Sequence, residues 1–271
     1  MMMNKNSSAW IRKIHAGGEK IRMFCFPYAG GSPHIFYAWR DLLPNDIGLY
    51  AIQLPGRGRR LHDRQIDRME PIVDAIVGAL EPFHDLPFVF FGHSMGALIA
   101  FETARALRRS GAPLPAWLFA SGFQAPHIED RSVPIHDLSD EAFMEKLKNL
   151  EGTPPEVLQN REILELILPT LRADFTVVDT YRYRPEPPLD CPITAFCGVQ
   201  DSHFGSESTA DWRTQTSNGF AFHKLPGGHF FIHTAQSDLL RLIVSELEQL
   251  SNAYLRIDGT ALTAAVSRQE Y

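Results

Sequence analysis

Short runs of apolar residues punctuate this chain, and the stretches between them carry helical periodicity, an alternation that few folds accommodate. Met23 to Phe26, Leu49 to Leu54, Phe88 to Phe91, Trp117 to Ala120, Ile193 to Phe196 and Phe220 to Leu225 read as strands. Most are too continuously apolar to have a solvent-facing side, so they belong in a parallel sheet covered by helices on both faces. Arg68 to Phe83 supplies one such helix, with Ile72, Ala75, Ile76, Ala79 and Leu80 on a single stripe. Ala97 to Arg109 supplies another, stopped by Gly111 and Pro113. A last helix carries Leu239, Leu240, Ile243, Leu247 and Leu250. The expected class is α/β, with a mostly parallel central sheet flanked by helices.

One long stretch breaks the rhythm. From about residue 126 to 188 there are many prolines and helical patterns over Asp140 to Leu150 and Pro155 to Tyr183, but no convincing strand. We read it as a helical lid inserted over the carboxyl edge of the sheet, where open α/β folds place their active sites. The ends, residues 1–20 and 258–271, are polar and lack periodicity, so both are expected to be flexible tails around a single domain spanning 21–257.

Composition narrows the function. A formal net charge of −6 argues against a nucleic-acid or anionic-membrane partner. No apolar run is long enough to span a bilayer, and Met1 to Lys13 has no apolar signal core, so a cytoplasmic location is expected. Cys25, Cys191 and Cys197 have no metal-ligand spacing and are read as buried reduced thiols.

Gly92-His93-Ser94-Met95-Gly96 fits G-x-S-x-G, a weak pattern by itself. Here it directly follows the strand Phe88–Phe91 and directly precedes a helix, the strand–turn–helix setting of a nucleophile elbow. A serine hydroxyl needs a base within hydrogen-bond reach, and in this architecture an acid and then a histidine follow it in the chain, each after a strand. His229, in Pro226-Gly227-Gly228-His229, lies just past the strand Phe220–Leu225, and Asp201 follows the strand Ile193–Phe196. Asp211 is the alternative acid, although it falls in a helical stretch. His93 reads as a filler position of the elbow, and the spacing of His229 and His233 lacks the glutamate of a zinc helix. Oxyanion donors are expected at the Met95 N–H, after the nucleophile, and at Ala29 in the loop Pro27-Tyr28-Ala29-Gly30-Gly31.

With these residues in view, a family resemblance becomes specific. Phe26-Pro27-Tyr28-Ala29-Gly30-Gly31-Ser32, Phe36-Tyr37-Ala38-Trp39, Gln53-Leu54-Pro55-Gly56-Arg57-Gly58-Arg59-Arg60, Phe91-Gly92-His93-Ser94-Met95-Gly96-Ala97 and Gly227-Gly228-His229-Phe230-Phe231 together resemble the external, or type II, thioesterases. These accompany polyketide and nonribosomal peptide synthetases, and relatives release medium-chain fatty acids. The resemblance, from about residue 21 to 250, implies an α/β-hydrolase with a lid. It further implies Ser94, Asp201 and His229 as a triad and Ala29 and Met95 as oxyanion donors. The substrate would be an acyl group on the phosphopantetheine arm of a carrier protein, with no metal or cofactor belonging to the enzyme, which is expected to be a monomer. Past Asp201 the family pattern would have a proline nearby, whereas this chain has Ser202-His203.

Other readings stay open at this stage: a chain-terminating fatty acyl thioesterase, a general carboxylesterase, or a non-catalytic binding protein, which would need a broken triad. Within the lid, Phe143 and Leu147 are expected to shape an acyl pocket, along with Leu150, Leu164, Leu168 and Phe175. Carrier proteins are generally acidic, so a local basic patch should meet them. Arg57, Arg59 and Arg60, after a strand's carboxyl end, are favoured over Arg105, Arg108 and Arg109, where the last two suit the helix dipole.

Overall fold

A computed structural model describes residues 7–129, 133–149 and 161–258. Its centre is one sheet of seven strands: β1 (Ile11–His15), β2 (Ile21–Phe26), β3 (Ile47–Ile52), β4 (Phe88–His93), β5 (Leu118–Ser121), β6 (Ile193–Gly198) and β7 (Phe220–Leu225). Their spatial order is β1-β3-β2-β4-β5-β6-β7, parallel throughout except for β1, which runs antiparallel to β3. The chain therefore grows leftward from β2 to β3 and then reverses to place β4 on the other side of β2. The carboxyl ends of β2 and β4 flank this switch point, the crevice where open α/β sheets bind ligands.

Alternation along the central strands separates two cores. Phe24, Phe26 and Phe90 face a layer that includes α1 (Met69–Leu80) and α2 (Met95–Ser110). Met23, Cys25, Val89 and Phe91 face the opposite layer, built from a 3₁₀ segment (Pro33–Asp41) and the last helix. In that 3₁₀ segment Phe36 and Trp39 are fully buried, Trp39 lying 4.8 Å edge-on from Phe91. Helix α2 ends as expected at Gly111, whose left-handed φ of 69° lets its N–H return to the carbonyls of Leu107 and Arg108. All three cysteines are buried and unpaired, and among the described residues no helix is long and apolar enough to cross a membrane.

Within the insertion, α3 (Asp140–Asn149) and α4 (Arg161–Asp179) pack together through a small cluster of Phe143, Leu147 and Leu171. Its return leg is tied to α2. Glu186 accepts from Arg108 and Arg109, each at 2.7 Å, and pairs with Arg105 at 2.9 Å, while the Tyr181 hydroxyl donates to Glu102 at 2.7 Å. The cluster of Arg105, Arg108 and Arg109 thus has an internal partner, contrary to the reading that left Arg108 and Arg109 to the helix dipole. The final helix, α5 (Gln236–Asp258), buries Leu239, Leu240, Ile243 and Leu247 against the sheet.

Of the flexible tail expected over residues 1–20, residues 1–6 lie outside the described residues and 7–15 are built into the fold instead. Residues 7–10 form a helical turn and 11–15 form β1, with Ile11 paired to Ile52 and buried in the core. As an edge strand, Ile-Arg-Lys-Ile-His carries charge between its apolar residues, which protects the edge from unwanted pairing and hides the strand from a search for apolar runs. At the other end, helix α5 reaches 258, and the expected tail beyond it lies outside the described residues. Deleting residues 1–15 should strip β3 of its edge partner and lower the melting temperature by about 5–10 °C, corresponding to a few kcal/mol at this chain length. An unchanged melting temperature in calorimetry would return the segment to the status of a tail.

Candidate active site

Ser94 sits at φ 55°, alone among described non-glycine residues in the left-handed half of backbone space. Strain of this kind persists only where neighbouring structure enforces it. The enforcement is close packing of backbones. A Cβ on Gly92 would lie 2.2 Å from the carbonyl oxygen of Gly96, and one on Gly96 would lie 2.1 Å from that of Phe26. Only glycine permits these approaches, and they press the start of α2 against the end of β2. The elbow is also hydrogen-bonded to β5, where the Ser94 N–H donates to the Ser121 carbonyl at 2.8 Å.

His229 comes to this point from the loop after β7. Its Nδ1 is 2.9 Å from Asp201 Oδ2 and its Nε2 is 3.0 Å from Ser94 Oγ. A carboxylate only accepts, so Nδ1 carries the proton and donates to Asp201. The lone pair of Nε2 then accepts from the Ser94 hydroxyl. Burial pushes the Asp201 pKa up, but the hydrogen bond and charge of His229, with the N–H groups of His203 and Phe204, outweigh it and leave the carboxyl below its ordinary value. The β6 and β7 loops are laced together: the Gln200 N–H donates to the Gly227 carbonyl at 2.9 Å, and the Gly227 N–H donates to Gln200 Oε1 at 2.6 Å. Gly198 must be glycine, since a Cβ there would meet the carbonyl oxygen of Gly228 at 2.4 Å. These contacts set the spacing between the acid and the histidine. Asp211, the alternative acid, is instead paired with Arg213 at 2.9 Å in a 3₁₀ turn.

Among the described hydrogen bonds, the backbone N–H groups of Ala29 and Met95 have no acceptor in the protein. Both residues line the cavity that holds Ser94 and His229, a space of about 830 Å³ between the sheet edge and the insertion. Leu147, Ile167, Leu171 and Phe175 form part of its apolar wall. Phe143, expected to shape this pocket, lies elsewhere: it is fully buried behind the wall, 5.6 Å from Phe175 and covered by the Arg172 guanidinium at 4.6 Å. Leu164 and Leu168 are likewise absent from the lining, and Leu150 falls outside the described residues.

The basic patch also needs correction. Arg57 is buried, with both terminal nitrogens 2.6 Å from the carboxylate of Asp174. Arg60 lies over the ring of Trp10 at 4.3 Å and pairs with Asp63 at 2.7 Å. Of the three, Arg59 alone is exposed, so they form no joint charged surface.

His93 has more to do than fill a motif position. Its Nε2 lies 3.0 Å from the His229 carbonyl oxygen, an obligate acceptor, so Nε2 carries the proton. Nδ1 therefore accepts from the Ser121 hydroxyl at 2.9 Å. The fully buried ring holds the backbone of His229 from below. Tyr28 braces the same loop, its hydroxyl hydrogen-bonded to His233 Nε2 at 2.9 Å and its ring 5.1 Å edge-on from Phe230, and burial pushes its own pKa up to about 12. No local pattern foretold either contact, because the partners are more than a hundred residues away.

Burial, aided by the neighbouring His229, holds His93 neutral to well below the ordinary value of 6.5. The unfolded chain takes up that proton as pH drops through about 6.5, while the folded chain does not. Stability from this source is therefore full above that pH and is lost as pH falls toward the folded-state pKa. Between pH 6.5 and 5, wild-type unfolding free energy should fall more steeply than that of His93→Gln, by up to about 1.4 kcal/mol per pH unit. Denaturant titrations at several pH values measure both slopes, and equal slopes would mean that His93 titrates alike in the two states.

Comparison with known proteins places the chain in a family. A family model described as a thioesterase domain matches residues 21–247. The gramicidin S biosynthesis protein GrsT of Aneurinibacillus migulanus is 41% identical over 228 residues, covering 84% of this chain and 89% of that protein. The solved thioesterase RedJ from the prodiginine biosynthetic pathway of Streptomyces coelicolor superposes with a TM-score of 0.80 at 40% identity, covering 86% of this chain and 93% of that one. The type II thioesterase BorB from the borrelidin biosynthetic cluster gives 0.81 at 32% identity, covering 90% of this chain and all (100%) of that one. With the family model matching most of its length, this chain belongs to the thioesterase family and has the family's α/β-hydrolase fold.

Proposed function

We propose that this thioesterase is a stand-alone editing enzyme that frees carrier proteins of stalled or wrong acyl groups in nonribosomal peptide or polyketide synthesis. In this reading Ser94 is the nucleophile, His229 the base, Asp201 the residue that orients it, and the Ala29 and Met95 N–H groups the oxyanion donors. The observation that carries the reading is the unbroken hydrogen-bonded chain from Ser94 Oγ through His229 to Asp201, at 3.0 and 2.9 Å. The carrier-bound substrate is supported by the company the chain keeps: GrsT is named as a gramicidin S biosynthesis protein, and BorB as a type II thioesterase from the borrelidin biosynthetic cluster.

In the first step Ser94 Oγ attacks the thioester carbonyl carbon while its proton passes to His229 Nε2. The carbonyl oxygen becomes an oxyanion facing the two free N–H groups. The C–S bond then breaks, leaving the acyl group on Ser94, and the departing thiolate takes the proton from His229 Nε2 to leave as the pantetheine thiol. A cysteine-like thiol, with a pKa near 8.5, departs with far less acid assistance than an amine would need. Water attacks the acyl-Ser94 ester next, losing a proton to His229, which returns it to Ser94 as the free acid leaves. Throughout, Asp201 keeps the imidazole in one tautomer and balances its transient positive charge.

Ser94→Ala and His229→Ala should each lower kcat by a thousandfold or more with folding intact, because members of such a triad act as a unit. Asp201→Asn should cost about 10⁴-fold through the wrong tautomer, and Asp211→Asn next to nothing. Assays on an acyl-carrier protein and on a small acyl-pantetheine mimic read both, and retention of more than about a hundredth of activity by either alanine variant would refute the assignment. A preference of the wild type for oxygen esters over carrier-bound thioesters would instead favour a carboxylesterase. A preference for long acyl chains would favour chain termination.

The cavity wall yields a separate prediction. Leu147 lines the space beside Ser94, and Phe143 supports the wall from behind. Leu147→Ala should move the optimum acyl length upward with little loss of stability beyond that of one truncated leucine. Phe143→Ala should instead destabilise by about 3–5 kcal/mol, as removal of a buried aromatic ring usually does. An acyl-length panel and thermal melts of the two variants separate the roles, and unchanged length preference in Leu147→Ala would remove that residue from the pocket.

A further inference from the structure

The buried pair of Arg57 and Asp174 does something that neither the triad nor the fold requires. Asp174 lies on α4 of the insertion, and its side chain is 1% exposed, against 7% for Arg57. Its Oδ1 accepts from Arg57 Nη2, and its Oδ2 accepts both from Arg57 Nη1 and from the backbone N–H of Gly30 at 2.7 Å. Arg57 also donates to the Gly31 carbonyl at 3.3 Å and to the Pro55 carbonyl at 3.2 Å. A single turn of α4 thereby holds the loops at the carboxyl ends of β2 and β3. Next to Asp174 in space, Thr170 donates its hydroxyl to the Gly56 carbonyl at 2.8 Å, and Leu171 sits against the bare Cα of Gly30.

The loop so held is the one that carries the Ala29 N–H. Residues 28–31 make a tight turn closed by the Gly31 N–H donating to the Tyr28 carbonyl at 2.8 Å, with Gly30 at φ +75° in its third position. That is the signature of a type II turn, whose soft motion is a flip of the central peptide, here Ala29–Gly30. The flip would swing the Gly30 N–H away from Asp174 and change ψ at Ala29, the residue whose N–H faces the cavity. A charge-assisted bond from a buried, doubly paired carboxylate selects one orientation of that peptide. Desolvating the two charges is costly and rarely adds net stability, so the pair's effect is to be sought in position.

On the reading that Ala29 is an oxyanion donor, we infer that Asp174 and Arg57 are positioning residues for the oxyanion loop, through which α4 of the insertion holds the Ala29 N–H in its catalytic orientation. The acid–base residues do not depend on this contact, since the lacing between the β6 and β7 loops fixes them separately. Loss of the clamp therefore weakens transition-state stabilisation and leaves substrate binding and the His229 proton relay in place.

The test replaces both charges with apolar groups, Arg57→Met with Asp174→Leu, so that no unpaired charge is left inside. Activity is measured on an acyl-N-acetylcysteamine thioester, alongside thermal melts. The expected result is a cooperatively folded protein with kcat reduced about 100- to 1000-fold, the range for a lost or displaced oxyanion donor, and KM within about threefold. A folded double variant with kcat within threefold of wild type would overturn the inference. Should that variant fail to fold, amide exchange of Gly30 in the wild-type enzyme decides: protection like that of the sheet core supports the clamp, and exchange as fast as an exposed turn refutes it. Ser94→Ala in parallel keeps the two ideas apart. An active Ser94→Ala sinks the proposed mechanism itself, whereas an inactive Ser94→Ala beside a fully active double variant sinks only the clamp.

Discussion

The position of Ser94 depends on one crowded contact, where the start of α2 passes over the end of β2. Gly96 lies so close to the Phe26 carbonyl, and Gly92 so close to Gly96, that a single methyl group at either position would collide with backbone that has nowhere to go. That closeness holds Ser94 in its strained conformation and aims its hydroxyl away from the sheet. It also brings the first free N–H of α2, that of Met95, beside the loop after β2 that holds Ala29. The reversal of strand order between β2 and β4 makes this meeting possible, because only at such a point do the loops after adjacent strands diverge and leave a crevice. Topology supplies the site, and two glycines give it atomic spacing.

Much of this could be read before any coordinates, for a physical reason. Strands buried on both faces must be apolar throughout, so β2 to β6 announce themselves, and an elbow between strand and helix has few compatible sequences. The histidine and acid loops were legible because each follows a strand in chain order. What escaped was of another kind. Strand β1 is an edge, and charges that shield an edge look like those of a tail. The contribution of His93 depends on a carbonyl oxygen 136 residues away, and nothing in its own neighbourhood points there.

The arginines make the same point more sharply. Arg57, Arg59 and Arg60 stand close together in sequence after a strand's carboxyl end, and by composition they form a basic patch. Their environments differ completely: Arg57 is enclosed by a carboxylate 117 residues later, Arg60 is folded onto Trp10, and Arg59 is in water. Charge at a turn is visible in sequence, but its partner is not, and burial of an arginine follows from the partner. The insertion that supplies Asp174 was itself legible as a helical segment. What could not be read was which of its faces would meet the sheet, because Phe143 and Leu147 share one apolar stripe and only one of them reaches the cavity.

The site thus has two halves secured by different means. On the side of Asp201 and His229, hydrogen bonds between the β6 and β7 loops, with His93 beneath and Tyr28 beside them, hold His229 in place. On the side proposed to hold the oxyanion, the loop after β2 is a glycine-rich turn, joined to α4 of the insertion through a buried ion pair. This division suits thioester chemistry. A thiolate departs readily, so proton transfer to the leaving group demands little, and the barrier rests on stabilising charge at the carbonyl oxygen. The half that bears that demand is the half joined to the segment walling the acyl cavity. Thr170, Leu171 and Asp174 join α4 to the loops after β2 and β3, so the wall of the cavity and the turn that carries Ala29 share one helix.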